Sequence, residues 1–308
     1  MKTKLYILTG FLGSGKTTLL LNILEKLQGH RVGVIQNESG KISVDGALLR
    51  NDDIQMVEIT HGSIFCACQK SGFVTALCDM ASRGFEYLFV ESTGIGDPSN
   101  VGEILAMVSE DGGSLDFHGV ICLVDAVNFA WQLSCREEAY RQVKHCHMAV
   151  ITKTDLVPPW VLGETETAIR GINPVCPISS CVNGRLDMSF LREDLLRYAW
   201  AEDEQSVNTK DTKPKTIFMN ILAPVERREL QDFLKGISPS VLRVKGFADV
   251  IGQGCCQIDL VGQVLGVRPV EYTEKPQLVF ISDKGPAVIR DVFDAWKSKV
   301  SSPMELKN

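Results

Sequence analysis

The sequence lacks the features that mark membrane, exported and nucleic-acid-binding proteins. No run approaches the ~18 to 20 consecutive apolar residues of a membrane span. The N-terminus, Met1-Lys2-Thr3-Lys4, leads directly into a predicted strand and has no apolar signal-peptide core. The formal net charge is −6 over 308 residues, so there is no basic excess to attract nucleic acid. We therefore expect a cytoplasmic protein with no nucleic-acid partner and no membrane partner.

Disulfide bonds are a further expected absence. The chain has 10 cysteines, but disulfides are uncommon in the cytosol. We therefore expect Cys66 and Cys68 to be reduced and able to bind a metal. Cys255-Cys256 starts a probable strand, in which neighbouring side chains face opposite ways, so core packing is favoured over a shared metal. His145-Cys146-His147 is interpreted as solvated or capping side chains rather than as a metal site.

One glycine-rich stretch, Gly10-Phe11-Leu12-Gly13-Ser14-Gly15-Lys16-Thr17, organises the chain. It joins an apolar, strand-like run over 5–8 to a helix-like run over 18–24, the context that a phosphate-binding loop needs. The glycines allow backbone N–H groups to turn around a phosphate, and the helix N-terminus adds its positive dipole end. Lys16 is expected to reach the β- and γ-phosphates, and Thr17 to hold Mg²⁺. The predicted nucleotide-binding residues of this loop are Gly10, Gly13, Ser14, Gly15, Lys16, Thr17 and Thr18.

A second motif, Glu91-Ser92-Thr93-Gly94, follows the apolar strand predicted over 87–90. An acid at the carboxyl end of such a strand is well placed to reach Mg²⁺ or its water shell. We predict that Glu91 holds a metal-bound water and that the Gly94 N–H approaches the γ-phosphate. Asp125 ends the strand predicted over 119–124, and it is interpreted as the N-cap of the next helix or as a second acid near the site, with the cap favoured.

A third motif, Thr152-Lys153-Thr154-Asp155, follows a strand predicted over 148–151. A carboxylate at Asp155 can accept two N–H bonds from guanine, and adenine lacks that donor pair. The Lys153 stem can lie along the base. Thr152, Lys153 and Asp155 are therefore predicted to bind the base, and the alternative is a polar strand end that caps a helix. The last strand is predicted over 175–178, with Ser179-Ser180 in a loop near the base.

The order of the predicted elements indicates two domains. Strand-like and helix-like segments alternate over 1–200, which is typical of an α/β protein with a mostly parallel sheet flanked by helices. The polar stretch over 201–214 lacks periodicity and is interpreted as a linker. Residues 215–308 combine strands and two helices, which indicates a smaller α+β domain. No internal repeat is visible.

With these motifs in order, the chain resembles the CobW-type P-loop GTPases, a family of metallochaperones and metallocentre-assembly proteins. The resemblance also rests on Asn37-Glu38-Ser39-Gly40, on Asp97-Pro98 and on Leu242 to Phe247 in the second domain. It implies a P-loop GTPase domain followed by a CobW C-terminal-like domain. It also implies slow GTP hydrolysis, with Mg²⁺ as cofactor, and delivery of a metal or cofactor to a client metalloenzyme. A homo-oligomer is compatible with this resemblance.

The chain departs from the family mainly at the metal motif. The family has Cys-x-Cys-Cys after a glycine, whereas this chain has Ser63-Ile64-Phe65-Cys66 after Gly62, with Cys68 two residues beyond. We predict that Cys66 and Cys68 bind a transition metal such as Zn²⁺ or Co²⁺, with Glu38 as a third ligand, because soft sulfur favours such ions. Lys41 replaces a glutamate that is frequent in the family, and Thr152 replaces the usual asparagine of the guanine motif.

Three functional hypotheses follow from the sequence. The first is a nucleotide-switched GTPase that serves a client enzyme, with Lys16, Thr17 and Glu91 as catalytic residues and Glu38 and Asp97 as candidate bases. Hydrolysis should be slow without a partner, because no arginine finger is identifiable. The second is a P-loop kinase or amidase-like enzyme in corrinoid metabolism, and the third is a non-catalytic nucleotide-regulated scaffold.

Overall fold

The computed structural model describes residues 2–37, 54–59, 63–66, 69–209, 214–271 and 274–307. The chain divides into two compact units, Met1–Asp211 and Thr212–Asn308. None of the helices in the described ranges is long and apolar enough to cross a membrane.

The first unit alternates strands and helices, as expected for an α/β fold. Its elements are β1 (Thr3–Thr9), α1 (Lys16–Lys26), β2 (Val32–Asn37), β3 (Ile54–Ile59), α2 (Lys70–Ser82), β4 (Tyr87–Glu91), α3 (Val101–Glu110), β5 (Leu115–Asp125), α4 (Phe129–Cys135), α5 (Glu137–Lys144), β6 (Met148–Thr152), α6 (Pro159–Ile172) and β7 (Ile178–Cys181). The strands form a seven-stranded sheet in the order β3-β2-β4-β1-β5-β6-β7, with every pair parallel. This architecture confirms the predicted fold class.

The sheet lies between two hydrophobic layers. In the central strand β1, Leu5 and Ile7 belong to one buried cluster, and Tyr6 and Leu8 belong to another. Successive strand side chains face opposite sides of the sheet, so a strand covered on both faces must be apolar at every position. That requirement explains why β1 and its neighbours have continuous apolar runs instead of an alternating pattern.

The strands beside β1 determine where the phosphate-binding loop lies. The chain passes from β1 through α1 to β2, but the strands beside β1 are β4 and β5. A crevice forms at the carboxyl ends of the strands where connections leave to opposite sides, and ligands of open α/β sheets gather there. The loop after β1 and the loop after β4 are therefore neighbours at this edge.

The last strand of the sheet lies later in the chain than predicted. We predicted a strand over 175–178, whereas β7 covers Ile178–Cys181, and Ser179 and Ser180 lie within it. Pro177 lacks an N–H group and cannot donate to a sheet, so the strand begins only after it. Our prediction of a base-contacting loop at Ser179-Ser180 is therefore wrong.

The second unit is an antiparallel sheet with two helices. Its elements are β8 (Lys215–Ile221), α7 (Arg227–Ile237), β9 (Arg243–Val250), β10 (Gly254–Val261), β11 (Val264–Pro269), β12 (Gln277–Ser282), α8 (Ala287–Lys299) and β13 (Met304–Lys307). The strand order is β11-β10-β9-β12-β8-β13. Phe233 of α7 packs edge-on against Phe280 of β12 and Trp296 of α8, which joins helices and sheet in one core. The pattern did not predict β13.

Cys255 and Cys256 face opposite sides of β10, as their adjacent positions require. Cys256 is completely buried in the core of the second unit, and Cys255 is half-buried. Cys256 therefore packs in the core, as predicted, while Cys255 lies on the other side of the strand.

Candidate functional site: a phosphate-binding loop and its neighbours

The loop between β1 and α1 has the backbone conformation that its glycines permit. Gly10 has φ of 135°, and a Cβ there would lie 2.3 Å from the Leu123 carbonyl oxygen of β5. Gly15, at the N-cap of α1, has φ of 93°, in the left-handed region that favours glycine. The loop therefore lies closely against the sheet, with the amide end of α1 facing the enclosed space.

Lys16 is held inside this loop. The residue is 7% exposed, and its Nζ donates hydrogen bonds to the carbonyl oxygens of Gly10 (2.6 Å) and Phe11 (3.1 Å). A buried ammonium group in a ring of backbone groups is a preformed anion site. The buried Ser14 hydroxyl has no hydrogen-bond partner among the described residues, so it is also available to a ligand. The loop over 10–17, which we call the cradle, therefore fits a phosphate group.

Thr17 and Glu91 meet beside the cradle. The Thr17 hydroxyl donates to Glu91 Oε1 at 2.6 Å, and Glu91 is 3% exposed. The other carboxylate oxygen, Oε2, accepts a hydrogen bond from the Gln36 side-chain amide at 3.0 Å. Gln36 and Glu91 are direct partners across the parallel β2–β4 pair, which sets this contact. Hydroxyl and carboxylate oxygens are the ligand types that Mg²⁺ takes, so the pair fits the predicted ion. Sequence reasoning missed Gln36, because only the strand pairing identifies it.

The loop after β4 is seated on the phosphate-binding loop. A Cβ at Gly94 would lie 2.6 Å from the backbone nitrogen and Cα of Leu12. The Gln142 side-chain amide of α5 donates to the carbonyl oxygens of Gly94 (3.3 Å) and Gly96 (2.8 Å). The glycine at position 94 thus allows a close approach of two backbones, which supports its predicted place beside the γ-phosphate. Within the part of the chain that the structure describes, the buried Thr93 hydroxyl of the same loop has no hydrogen-bond partner.

The third motif is tied to the phosphate-binding loop through Thr152. Its hydroxyl donates to the Ser14 carbonyl oxygen at 2.8 Å. Lys153 has φ of 58°, and its Nζ forms an ion pair with the buried Asp125 Oδ2 at 2.7 Å. Asp155 is exposed. The motif therefore stands at the edge of the cradle, with an exposed carboxylate available to a base.

Asp125 has a different role from the helix cap that we favoured. The N-cap residue of α4 is Asn128. The Asp125 carboxylate accepts hydrogen bonds from the Val127 N–H (3.0 Å), the Asn128 side-chain amide (2.8 Å) and Lys153. Asp125 therefore stabilises the tight turn before α4 and does not cap the helix, which begins four residues later.

Asp97, one of the two candidate bases, is fully engaged in the structure. It is completely buried, and Oδ1 accepts the Ser99 N–H at 3.1 Å. Oδ2 accepts from Arg141 Nε (2.9 Å) and from the Val207 N–H (2.8 Å). Both oxygens of this carboxylate are therefore bonded to a guanidinium or to backbone amides, and burial shields them from water. The geometry therefore argues against Asp97 as the general base.

The predicted transition-metal site lies mostly outside the described residues. Glu38 and Cys68 are not among them, whereas Cys66 is buried and disulfide-bonded. That state contradicts the expectation of a reduced thiol. The expectation rested on the redox conditions of the cytosol, and the sequence alone does not show which cysteines lie close together. A thiolate is the ligand form, so metal binding at Cys66 requires reduction first. Within the described ranges, no group of three histidine, cysteine or acidic residues is placed to hold a metal.

His145-Cys146-His147 serves packing. Cys146 is 1% exposed within the core. His147 Nδ1 accepts the Val120 N–H at 3.0 Å, and burial lowers the pKa of His147 to about 4. The interpretation of this segment as solvated is therefore wrong, because His145 and Cys146 are buried and His147 is a neutral, hydrogen-bonded imidazole.

Comparison with known proteins supports the interpretation of these motifs. The model of the CobW/HypB/UreG nucleotide-binding domain matches residues 4–180, and that of the cobalamin synthesis protein cobW C-terminal domain matches residues 215–297. The chain is 34% identical over 194 residues to the zinc chaperone YjiA of Escherichia coli, which covers 60% of this chain and 59% of YjiA.

Two further relatives are also named for zinc. The zinc-regulated GTPase metalloprotein activator 1 of Schizosaccharomyces pombe is 30% identical over 192 residues, covering 59% of this chain and 46% of that protein. The zinc chaperone CobW of a Sinorhizobium species is 26% identical over 320 residues, covering 87% of each chain. The matches to the E. coli and S. pombe proteins span about half to three fifths of those relatives.

Proposed function

Because the chain belongs to the CobW/HypB/UreG family of nucleotide-binding proteins, we propose that it is a slow GTPase whose nucleotide state controls delivery of a transition metal to a client metalloenzyme. The observation that carries the proposal is the contact between Thr17 and Glu91 beside the buried Lys16. The names of the relatives, two zinc chaperones and a zinc-regulated GTPase metalloprotein activator, support the class of cargo. A cytoplasmic location, where GTP is available, and a homo-oligomeric state remain part of the proposal.

Lys16 is the main phosphate-binding group. Its ammonium now donates to two loop carbonyls, and the oxygens of the β- and γ-phosphates can replace those acceptors with charged ones, which make stronger bonds. The backbone amides at the start of α1 add donors to the same anion. Release of phosphate from GTP should therefore fall to background in Lys16→Ala. A parent protein that binds GTP and releases no phosphate would instead indicate the nucleotide-regulated scaffold.

Thr17 and Glu91 are the residues that would hold Mg²⁺. When bound, Mg²⁺ neutralises charge on the phosphate oxygens during phosphoryl transfer. Gln36 fixes one oxygen of Glu91 and leaves the other directed at Thr17, so the carboxylate has one orientation. The general base is unassigned among the described residues, and Glu38 is the remaining candidate.

Asp155 is proposed to select guanine. The Thr152–Ser14 bond ties the third motif to the phosphate cradle, which fixes the distance between base and phosphate contacts. Asp155→Asn should weaken GTP binding by roughly tenfold or more, since bonds to a charged acceptor contribute about 1.5–3 kcal/mol. The same variant should strengthen binding of xanthine nucleotides, which have a carbonyl in place of the guanine amine.

Competition against a fluorescent nucleotide measures these affinities, with ATP as a third ligand. Glu164→Gln, an exposed acid on the neighbouring helix α6, is the matched control and should leave the GTP affinity unchanged. An unchanged preference for GTP in Asp155→Asn would show that the base is recognised elsewhere. A preference of the parent for ATP would favour the kinase-like alternative.

Cys66 and Cys68, with Glu38, are proposed to hold the cargo metal. Sulfur ligands select Zn²⁺ or Co²⁺ over Mg²⁺, and the thiols must first be reduced. Co²⁺ titrated into reduced protein should give sulfur-to-metal charge-transfer absorption that is lost in Cys66→Ser/Cys68→Ser. The buried variant Cys256→Ser in the second unit is the control and should retain it. Equal metal content in the double variant and the parent would eliminate the site.

A further inference from the structure

The segment over 202–208, which we call the strap, makes ordered contacts with the rest of the first unit. The Glu204 N–H donates to the Ser99 carbonyl oxygen at 2.9 Å, and the Val207 N–H donates to Asp97 Oδ2 at 2.8 Å. Its polar composition predicts a linker, but hydrogen bonds to the loop after β4 fix it in place.

Asn208, at the end of the strap, joins two separate segments with one side chain. The residue is 5% exposed. Its Oδ1 accepts the Ser63 hydroxyl (2.9 Å) and the Asp97 N–H (2.8 Å), and its Nδ2 donates to the Ile95 carbonyl oxygen (2.8 Å). A side-chain amide presents its acceptor oxygen and its donor nitrogen on separate atoms of one planar group. Asn208 thus bridges the loop after β4 and the segment over 63–66, which contains Cys66.

Charged groups hold the strap against the same loop. Arg141 of α5 donates through Nε to Asp97 Oδ2 and through Nη1 to Glu204 Oε2, each at 2.9 Å. Lys144 forms a second ion pair with Glu204. The strap, the loop after β4 and α5 therefore form one connected polar network.

We propose that Asn208 is a positioning residue that couples γ-phosphate contact at Gly94 to the segment over 63–66 and to the strap. This inference rests on the proposed GTP binding. Gly94 is adjacent to Ile95, so a movement of the Gly94 N–H toward a γ-phosphate displaces the Ile95 carbonyl. A planar amide bonded at both ends must then move the Ser63 segment with it or lose one of its bonds. Either response transmits the nucleotide state to the segment over 63–66. Thermodynamic linkage then requires that a change in this segment alters the nucleotide affinity in return.

Amide hydrogen exchange tests this without any metal. Peptides containing 63–66 and 202–208 are compared in the reduced full-length protein with Mg²⁺ and either GDP or a non-hydrolysable GTP analogue. We expect the exchange rates of both peptides to differ by about fivefold or more between the two nucleotides. In Asn208→Ala the difference should disappear from the 63–66 peptide, while the GDP affinity stays that of the parent.

Two further variants separate coupling from simple destabilisation. Asn173→Ala removes another buried asparagine of the same unit, bonded to Val143, Cys146 and Cys176, and should lower stability but keep the nucleotide-dependent difference. Ser63→Ala removes one branch of the bridge, so only the 63–66 peptide should lose its response, even if Asn208→Ala does not fold.

The outcomes distinguish this inference from the proposed function. If the parent does not bind the GTP analogue, the proposed function and the inference fall together. Binding of both nucleotides with identical exchange in the strap would overturn the inference alone. A nucleotide-dependent difference that persists in the 63–66 peptide of Asn208→Ala or of Ser63→Ala would also overturn it.

Discussion

Replacing Arg141 by methionine should strongly destabilise the first unit. The Arg141 side chain is 11% exposed, and its partner Asp97 is completely buried. The guanidinium also bonds the Ser99 hydroxyl at 2.9 Å and the Gln205 carbonyl oxygen at 2.7 Å. Methionine retains much of the packed volume but leaves the Asp97 carboxylate without its cation.

The magnitude follows from burial. Removal of one member of a buried ion pair costs about 3–5 kcal/mol, because the remaining charge is desolvated and uncompensated. For a unit of 150–250 residues, each 1 kcal/mol lowers the Tm by about 2–4 °C. Arg141→Met should therefore lower the Tm of the first unit by roughly 6–20 °C. Adding Asp97→Asn should recover part of the loss, because the buried charge is then gone.

Thermal unfolding followed by circular dichroism measures this shift. The matched control is Arg197→Met, which removes an ion pair with Glu193 in which the side chains are 55% and 42% exposed. Exposed pairs contribute about 0–1 kcal/mol, so this variant should melt within a few degrees of the parent. Equal shifts in Arg141→Met and Arg197→Met would refute the assignment of the Arg141 network as a buried, energetically important one.

Three further predictions concern the cradle and the core. Gly94→Ala places a Cβ 2.6 Å from the Leu12 backbone. Measured with a fluorescent nucleotide, the affinity for a GTP analogue should therefore fall more than the affinity for GDP. Equal losses of the two affinities would contradict this prediction. Gln36→Leu removes a donor to the buried Glu91, worth about 1.5–3 kcal/mol, and should raise the Mg²⁺ concentration for half-maximal phosphate release roughly tenfold or more; an unchanged Mg²⁺ requirement would contradict it. Burial lowers the pKa of His147 to about 4 from an ordinary value near 6.5, so the unfolded state binds its proton first as pH falls. This contribution to the free energy of unfolding is complete above pH ~6.5 and is lost between about 6.5 and 4; His147→Gln should flatten that slope in urea titrations, and an unaltered slope would contradict the assignment.

Local sequence was sufficient for the cradle and for the fold class. The glycine spacing from Gly10 to Gly15 requires backbone angles that other residues rarely adopt, and the runs of apolar residues before Thr9 and Glu91 require burial on both sheet faces. These constraints act within a few residues of the chain. Such short-range requirements explain why the positions of Lys16 and Thr17 were predictable.

The supporting contacts were not predictable in this way. Asn208 bonds to residues more than one hundred positions away, and nothing in its polar neighbourhood distinguishes it from a linker residue. Gln36 acquires its role only because the β2–β4 register places it opposite Glu91. The role of Asp125 likewise depends on Lys153, which belongs to the next strand end. These assignments need the strand order, which a single sequence does not determine.

The central claim, a nucleotide-switched metal carrier, is tested most directly by the affinity of the reduced protein for Co²⁺ in two nucleotide states. Equilibrium titration is performed with Mg²⁺ and either GDP or a non-hydrolysable GTP analogue, and Lys16→Ala serves as the variant that cannot respond. We expect Co²⁺ affinities that differ by about fivefold or more in the parent and by no measurable factor in Lys16→Ala. Equal Co²⁺ affinity in both states of a parent that binds both nucleotides would contradict it.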